Sequence, residues 1–199
     1  MKKYFKRSGL LHYKKGVPSK LNKAFYNHTI DAAFISSIKA KGKKSGSLGI
    51  VAHKEVKSVF VILGESKLDS ESETSNVLTK VLGLSGEVII GDKALKRYLQ
   101  NPEGMIDLAA AWYQKTKLPF VFGILCYNKG YNKKFEEKFL RTKVKIPQYI
   151  LNAEAKSRGI KPQEILWYLQ FISYRIGYKE KRSLKKFYKY AMRSSANKL

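Results

Sequence analysis

The run Leu118 to Tyr127, LPFVFGILCY, carries no charge and no polar alternation, and a single Leu-Pro junction separates it from the helical segment before it. Upstream, Asp107 can cap a helix start, Ala109 to Ala111 are strong helix formers, and Trp112 and Tyr113 supply a large apolar face. Pro119 biases Leu118 away from helical angles, so the spacing predicts a helix ending near Lys117 and a strand from Phe120. A strand that is apolar on both sides is buried on both faces. That is the habit of parallel strands in layered α/β proteins, where helices cover the sheet on each side.

The rest of the chain alternates in the same way. Pro18 to Tyr26 reads as a short helix, Ile30 to Ser36 as a strand, and Lys41 to Ser47 as a Gly/Lys/Ser loop. Ile50 to Ala52 and Ser58 to Leu63 are strand candidates, followed by a helix at Ser75 to Leu82, a strand at Glu87 to Ile90 and a helix at Asp92 to Leu99. After Cys126 the pattern turns helical, at Lys133 to Leu140, Pro147 to Ser157, Pro162 to Ile176 and Leu184 to Met192. No internal repeat or low-complexity segment interrupts it.

A length of 199 residues with 44% hydrophobic content suffices for one large domain or two lobes. The single cysteine, Cys126, excludes an internal disulfide and points to a reducing, cytoplasmic setting. No membrane-spanning stretch and no secretion signal are expected: the basic opening MKKYFKRSGLLHYKK has only Leu10-Leu11 as an apolar core. The formal net charge of +25 would ordinarily suggest an anionic partner such as nucleic acid. Its distribution argues otherwise. Glu65, Asp69, Glu71, Glu73, Glu87, Asp92, Glu103 and Asp107 all fall between Gly64 and Ala110, which makes the middle mildly acidic between basic flanks.

Chemistry-bearing residues cluster at the ends of predicted strands and the starts of predicted helices. Ser72, Thr74 and Ser75 stand just before a helix whose apolar face is Val77, Leu78, Val81 and Leu82; hydroxyls and free N–H groups there suit an anion. A helix cap, which needs only one of those hydroxyls, is the plainer reading. Ser36-Ser37 ends a strand, where ligands collect in open α/β sheets, although serine pairs also make ordinary turns. Gly91-Asp92 has the same placement, with helix capping as the plainer role for Asp92. His12, His28 and His53 lack ligand-like spacing, so no metal is expected. No phosphate loop and no nucleophile elbow exist, which removes support for nucleotide-driven and acyl-transfer chemistry.

The segment AKSRGIKPQEI places Ala155, Gly159 and Ile165 at helix-turn-helix offsets on a basic chain. A DNA-reading second helix would have to present Pro162, Leu166 and Trp167 to base edges, and those residues favour burial. Helix-loop-helix packing around Gly159 explains the same spacing.

With these segments placed, the chain resembles the chorismate dehydratases of the futalosine route to menaquinone. The resemblance is carried by GVPSKLN at Gly16 to Asn22, IDAAFISSI at Ile30 to Ile38 and SLGIVAHKEVKSVFVI at Ser47 to Ile62. It continues through SETSNVLTKVL, VIIGDKAL at Val88 to Leu95, IDLAAAWYQKTKLPFVFGIL at Ile106 to Leu125, and YLQFISYRIGYKEKRSLKKF at Tyr168 to Phe187. It implies an α/β, two-lobed, periplasmic-binding-protein-like fold with mixed sheets flanked by helices and a helical C-terminal segment. Residues 1–65 and 118–199 would form a discontinuous larger lobe and 66–117 an inserted smaller one, hinged at Lys117 to Pro119.

The implied reaction removes water from chorismate, a dicarboxylate, to give 3-[(1-carboxyvinyl)oxy]benzoate without a cofactor. The resemblance implies Ser58 as a catalytic-site residue. It implies Ser36, Ser72, Thr74 and Ser75 as ligand-facing, and Gly91 and Asp92 join them as substrate-binding candidates. Two departures stand out. Family members begin with a strand ending in a Tyr-Leu-Asn type motif whose asparagine belongs to the catalytic site, and this sequence starts after it, so Met1 is expected to be internal. Asn22 and Asn27 lie in the following helix and are not its equivalent. Glu73 stands where the family has an arginine, and an acid beside a carboxylate site weakens binding unless it points to solvent. The alternatives are a carboxylate-binding protein of the same fold, the dihydroxynaphthoate-forming enzyme of the same route, which needs a catalytic histidine, and a basic DNA-binding regulator.

Overall fold

The computed structural model describes residues 16–130, 133–142 and 145–196; the basic opening stretch and His12 lie outside the described residues. In chain order the elements are α1 (Pro18–Tyr26), β1 (Ala32–Ser36), α2 (Ser37–Ala40), β2 (Ser45–Ala52), β3 (Val59–Leu63) and α3 (Glu73–Leu82). Then come β4 (Gly86–Ile90), α4 (Gly91–Gln100), β5 (Met105–Asp107), α5 (Leu108–Thr116) and β6 (Phe120–Tyr127). The C-terminal part holds α6 (Lys133–Arg141), α7 (Gln148–Arg158), α8 (Pro162–Leu169), β7 (Ser173–Arg175) and α9 (Tyr178–Ala196).

These elements form a mixed α/β architecture with two sheets flanked by helices. The first sheet has the strand order β1-β6-β2-β7 and the second β4-β3-β5. Strand β6 is the inner strand that its apolarity demands, with Ile35 opposite Ile124 on one side and Val51 opposite Val121 on the other. Its neighbours run antiparallel to it, as do all strand pairs in both sheets, whereas the sequence suggested a parallel strand. Apolarity on both faces reports burial, not direction, and here helices from distant parts of the chain provide that burial. Ile124 and Cys126 pack with Phe25 of α1 and Ala40 of α2, while Leu125 and Tyr127 pack with Phe139 and Leu140 of α6. Burial pushes the Cys126 thiol up to about 11.

Helix α6 is pinned to the sheet by a buried carboxylate. Glu136 accepts from the Ser47 N–H at 2.8 Å, the Ser47 hydroxyl at 2.9 Å and the Tyr127 hydroxyl at 2.7 Å. Three donors on one carboxylate satisfy a group that is otherwise expensive to desolvate.

The expected helix at Pro162 to Ile176 is shorter in the structure. It ends at Leu169, and Ser173–Arg175 instead pairs with the free edge of β2, Leu48 opposite Arg175 and Val51 opposite Ser173. Ile176, which fits the helical spacing, is buried with the β2 core, and its N–H reaches the Ser47 carbonyl at 2.8 Å. An unpaired strand edge with open carbonyls outcompetes a last helical turn. Gly159, with φ +60, makes the turn between α7 and α8, and the Trp167 ring stacks on Tyr98 of α4 at 6.2 Å. That contact takes Trp167 out of any reading face and supports helix packing for this motif. No helix among the described residues is long and apolar enough to cross a membrane.

One core cluster spans both sheets. Val59 and Val61 of β3, Leu78 and Val81 of α3, Leu108 and Trp112 of α5, Phe120 of β6 and Phe187 of α9 all belong to it. Trp112, fully buried, meets Phe120, Phe187 and Tyr190 edge-on, and its indole N–H donates to Ser183 at 2.9 Å. Truncating Trp112 to alanine therefore opens a cavity at the junction of the two sheets. We expect a loss of about 3–5 kcal/mol, a large share of the roughly 5–15 kcal/mol that holds a domain together. Urea denaturation followed by circular dichroism would read it as a lower midpoint; an unchanged midpoint would refute this placement of Trp112.

Candidate functional site

Ser58 sits one residue ahead of β3, with only 4% of its surface exposed. The turn that delivers it is held in an unusual shape: Lys57 has φ +59, a left-handed angle that a non-glycine residue adopts only when its surroundings enforce it. Asp107 does the enforcing. One of its carboxylate oxygens accepts the N–H groups of Val56 and Lys57 at 2.9 and 2.8 Å, and the other accepts those of Ala109 and Ala110 at 2.9 and 3.0 Å. The capping role was legible in the sequence, and the second pair of bonds, made across the fold, was not. Burial pushes the Asp107 carboxyl above the usual carboxylate range, against the pull of those four donors.

Around Ser58 the structure gathers two more of the expected residues. Gly91, at φ +66, bends the chain from β4 into α4 and donates its N–H to the Ser58 carbonyl at 2.8 Å. Asp92 follows in the first turn of α4. Its carboxylate does not cap the helix but receives Arg158 of α7, whose Nη1 lies 2.8 and 2.6 Å from its two oxygens. The Ser58 hydroxyl itself meets the Tyr168 hydroxyl of α8 at 3.0 Å. Beside it Lys57 bonds Glu55 at 2.8 Å and the Tyr98 hydroxyl at 3.1 Å. Desolvation pulls the Lys57 ammonium down, but those two partners outweigh it and leave its pKa raised.

Ser36, Ser72, Thr74 and Ser75 form a second group. Ser36 ends β1, and Asn22 of α1 brackets it, donating from its amide to the Ser36 hydroxyl at 2.6 Å and accepting the Ser36 N–H at 3.1 Å. The short helix α2 then links Ser36 to Thr74, whose hydroxyl accepts the Ile38 N–H at 3.2 Å. Ser72 is the N-cap of α3, accepting from the Ser75 N–H at 3.3 Å, and the two hydroxyls lie 2.7 Å apart. Capping and hydroxyl clustering thus coexist. Neighbouring Ser37 bonds the Val121 carbonyl of β6, which fastens α2 to the first sheet.

A cleft of about 390 Å³ opens beside this second group, lined by Asn22, Lys23, Tyr26, Lys39, Glu71 and Glu73 among others. Glu73 does not leave a bare negative charge at the start of α3: its carboxylate pairs with Lys39 at 2.9 Å, both side chains about half exposed. The two groups share a foundation, since Val56 and Val59 flank Ser58 and Leu78 follows Thr74 and Ser75 in the core built on Trp112. Local sequence reasoning missed the long-range bonds of Asn22, Asp107 and Tyr168. Each acts on a residue 14 to 110 positions away, beyond any local signal.

Known proteins give this arrangement a context. A family model described as menaquinone biosynthesis matches residues 82–193. Over 185 residues the chain is 50% identical to a chorismate dehydratase of Campylobacter jejuni, covering 90% of this chain and 83% of that protein. Its fold is similar to that of a crystal structure of a protein from Archaeoglobus fulgidus, with a TM-score of 0.62, 17% identity, and coverage of 94% of this chain and 87% of that one.

The Asp107 knot generates a stability prediction. In Asp107→Asn, an amide NH2 must face two backbone N–H donors, which we expect to cost about 1–3 kcal/mol. Because burial raises the folded-state pKa of Asp107, its protonation favours the folded chain. The contribution is full below the ordinary carboxylate pKa and is lost as pH rises through the raised one. The deficit of the variant should therefore be widest in acid and narrow with rising pH in denaturation midpoints. A deficit that grows with pH would contradict the direction of the shift.

Proposed function

Since the chain belongs to the menaquinone biosynthesis family, we propose that it is an enzyme that dehydrates chorismate to 3-[(1-carboxyvinyl)oxy]benzoate in the futalosine route. The observation that carries this reading is the 50% identity to a chorismate dehydratase over 90% of the chain. The reaction is a carbon–oxygen lyase step. A ring C–H bond gives up its proton, its electrons become a new ring double bond, and the neighbouring C–OH bond breaks, so that proton and hydroxyl leave as water. The ring becomes aromatic, which supplies driving force and leaves the protein to orient the substrate and complement its charge.

In this reading the small-molecule substrate lies between two lobes, residues 1–65 with 118–199 and the inserted residues 66–117, β3 joining the sheet of the smaller lobe across the seam. Lys117, at φ +58 between α5 and β6, supports a hinge at Lys117 to Pro119. Ser58 orients the reacting part of the ring. The start of α3, with Ser72, Thr74 and Ser75, holds one carboxylate through hydroxyls and first-turn N–H groups, helped by the positive end of the helix dipole. Ser36, Gly91 and Asp92 complete the walls. The proton acceptor is a carboxylate of chorismate itself, which accounts for a site built of hydroxyls and backbone rather than of histidine. The cytoplasm, where one buried unpaired thiol is at home, is the proposed location.

Incubation of the protein with chorismate, with chromatography for the aromatic enol ether, tests the activity, and no product would sink it. Ser58→Ala should lower kcat on the order of 100-fold while KM changes little, the pattern of an interaction made in the transition state. Full kcat in that variant would remove Ser58 from the reaction.

A further inference from the structure

Tyr168 is the polar group that meets the Ser58 hydroxyl, 3.0 Å away, and it comes from the opposite end of the chain. Its placement is built by a docked hairpin. Helices α7 and α8 turn on Gly159 and seat against α4 at two points. At one, Arg158 bridges Asp92 at 2.6 Å and Glu154 at 3.0 Å. At the other, a ladder of near-parallel rings runs from Phe60 through Tyr98 to Trp167, with centroid separations of 5.3 and 6.2 Å and interplanar angles of 9° and 11°. Tyr168 follows Trp167 directly, so the ladder fixes the helical turn that carries the phenol.

The chemistry of the pair has one sensible direction. A serine hydroxyl has one proton and two lone pairs, and a phenol is the stronger acid. Tyr168 therefore donates and Ser58 accepts, which leaves the serine proton free to point elsewhere. Burial pushes the Tyr168 phenol above its usual value, against the pull of its bond with Ser58, so it keeps its proton throughout the neutral range. A hydrogen bond accepted by Ser58 polarises its own O–H and makes it a better donor.

We propose that Tyr168 is a positioning residue for the reaction at Ser58, its phenol donating to the serine oxygen so that the serine proton is aimed at the substrate. The proposal rests on the assignment of Ser58 to the reacting part of chorismate, and it adds a second requirement: the α7–α8 hairpin must be docked on α4 for Ser58 to be fully effective. The hairpin thereby couples Asp92 to the reaction through Arg158.

Steady-state kinetics on chorismate with the wild-type protein, Tyr168→Phe, Ser58→Ala and the double variant test this. The ring of Tyr168 is kept in Tyr168→Phe, and thermal unfolding of each variant confirms that it folds. We expect Tyr168→Phe to lower kcat on the order of 10-fold with KM within about twofold. We expect the same substitution to change nothing further in the Ser58→Ala background, because its effect passes through the serine. Wild-type kcat in Tyr168→Phe, or an equal loss in both backgrounds, would overturn the proposal while leaving the assignment of Ser58 intact. No turnover by the wild-type protein, or an unaffected Ser58→Ala, would overturn that assignment and this proposal with it.

Discussion

Four backbone N–H groups converge on the carboxylate of Asp107, and much of the surrounding structure depends on that convergence. Two of the donors open helix α5 and two belong to the Val56-Lys57 turn, so a single side chain sets where a helix begins and how the chain approaches β3. Without it, the left-handed angle at Lys57 would have no counterweight. The helix so started carries Trp112 into the centre of the core, and the turn so held carries Ser58 to the edge of it. The start of α5 and the placement of Ser58 are thus anchored at the same atom pair.

The two groups of hydroxyls inherit their placement from this arrangement rather than from one another. Ser58 is held from behind by Asp107 and faced by Tyr168, while Ser36 and Thr74 are held through Asn22 and the short helix α2. Both groups rest on one cluster of apolar side chains contributed by both sheets and α9. Glu73 illustrates how a local liability is offset at short range. An acid at a helix start is favourable to the helix dipole, and Lys39 pairs with it so that the start of α3 presents no bare negative charge.

The elements with strong local grammar were legible in the sequence. Pro18 at a first turn, Asp107 at a cap and the apolar run from Phe120 each correspond to an observed element: Pro18–Tyr26 and the strand start at Phe120 fall where they were expected, and the helix after Asp107 ends at Thr116, one residue before Lys117. The menaquinone family, too, was readable from motifs spread across the chain. What was not legible depended on partners far away in sequence. The direction of β6 is set by which strands reach it, not by its composition, and β7 forms because the edge of β2 was open to pair with it. Tyr168 is one aromatic among 13 tyrosines, and only the docking of α8 on α4 singles it out. Asp107 was readable as a cap, but the two N–H groups it takes from the Val56-Lys57 turn lie 51 and 50 residues upstream.

Cys126 carries a practical consequence of the doubly covered strand. Its thiol, buried within β6 and shifted up to about 11, is almost wholly protonated at neutral pH and screened by α1 and α2. Thiolates, not thiols, react with alkylating reagents, so the native chain has no nucleophile to offer there. The lone thiol is therefore a built-in gauge: the rate at which a thiol reagent captures it reports how often the first sheet opens.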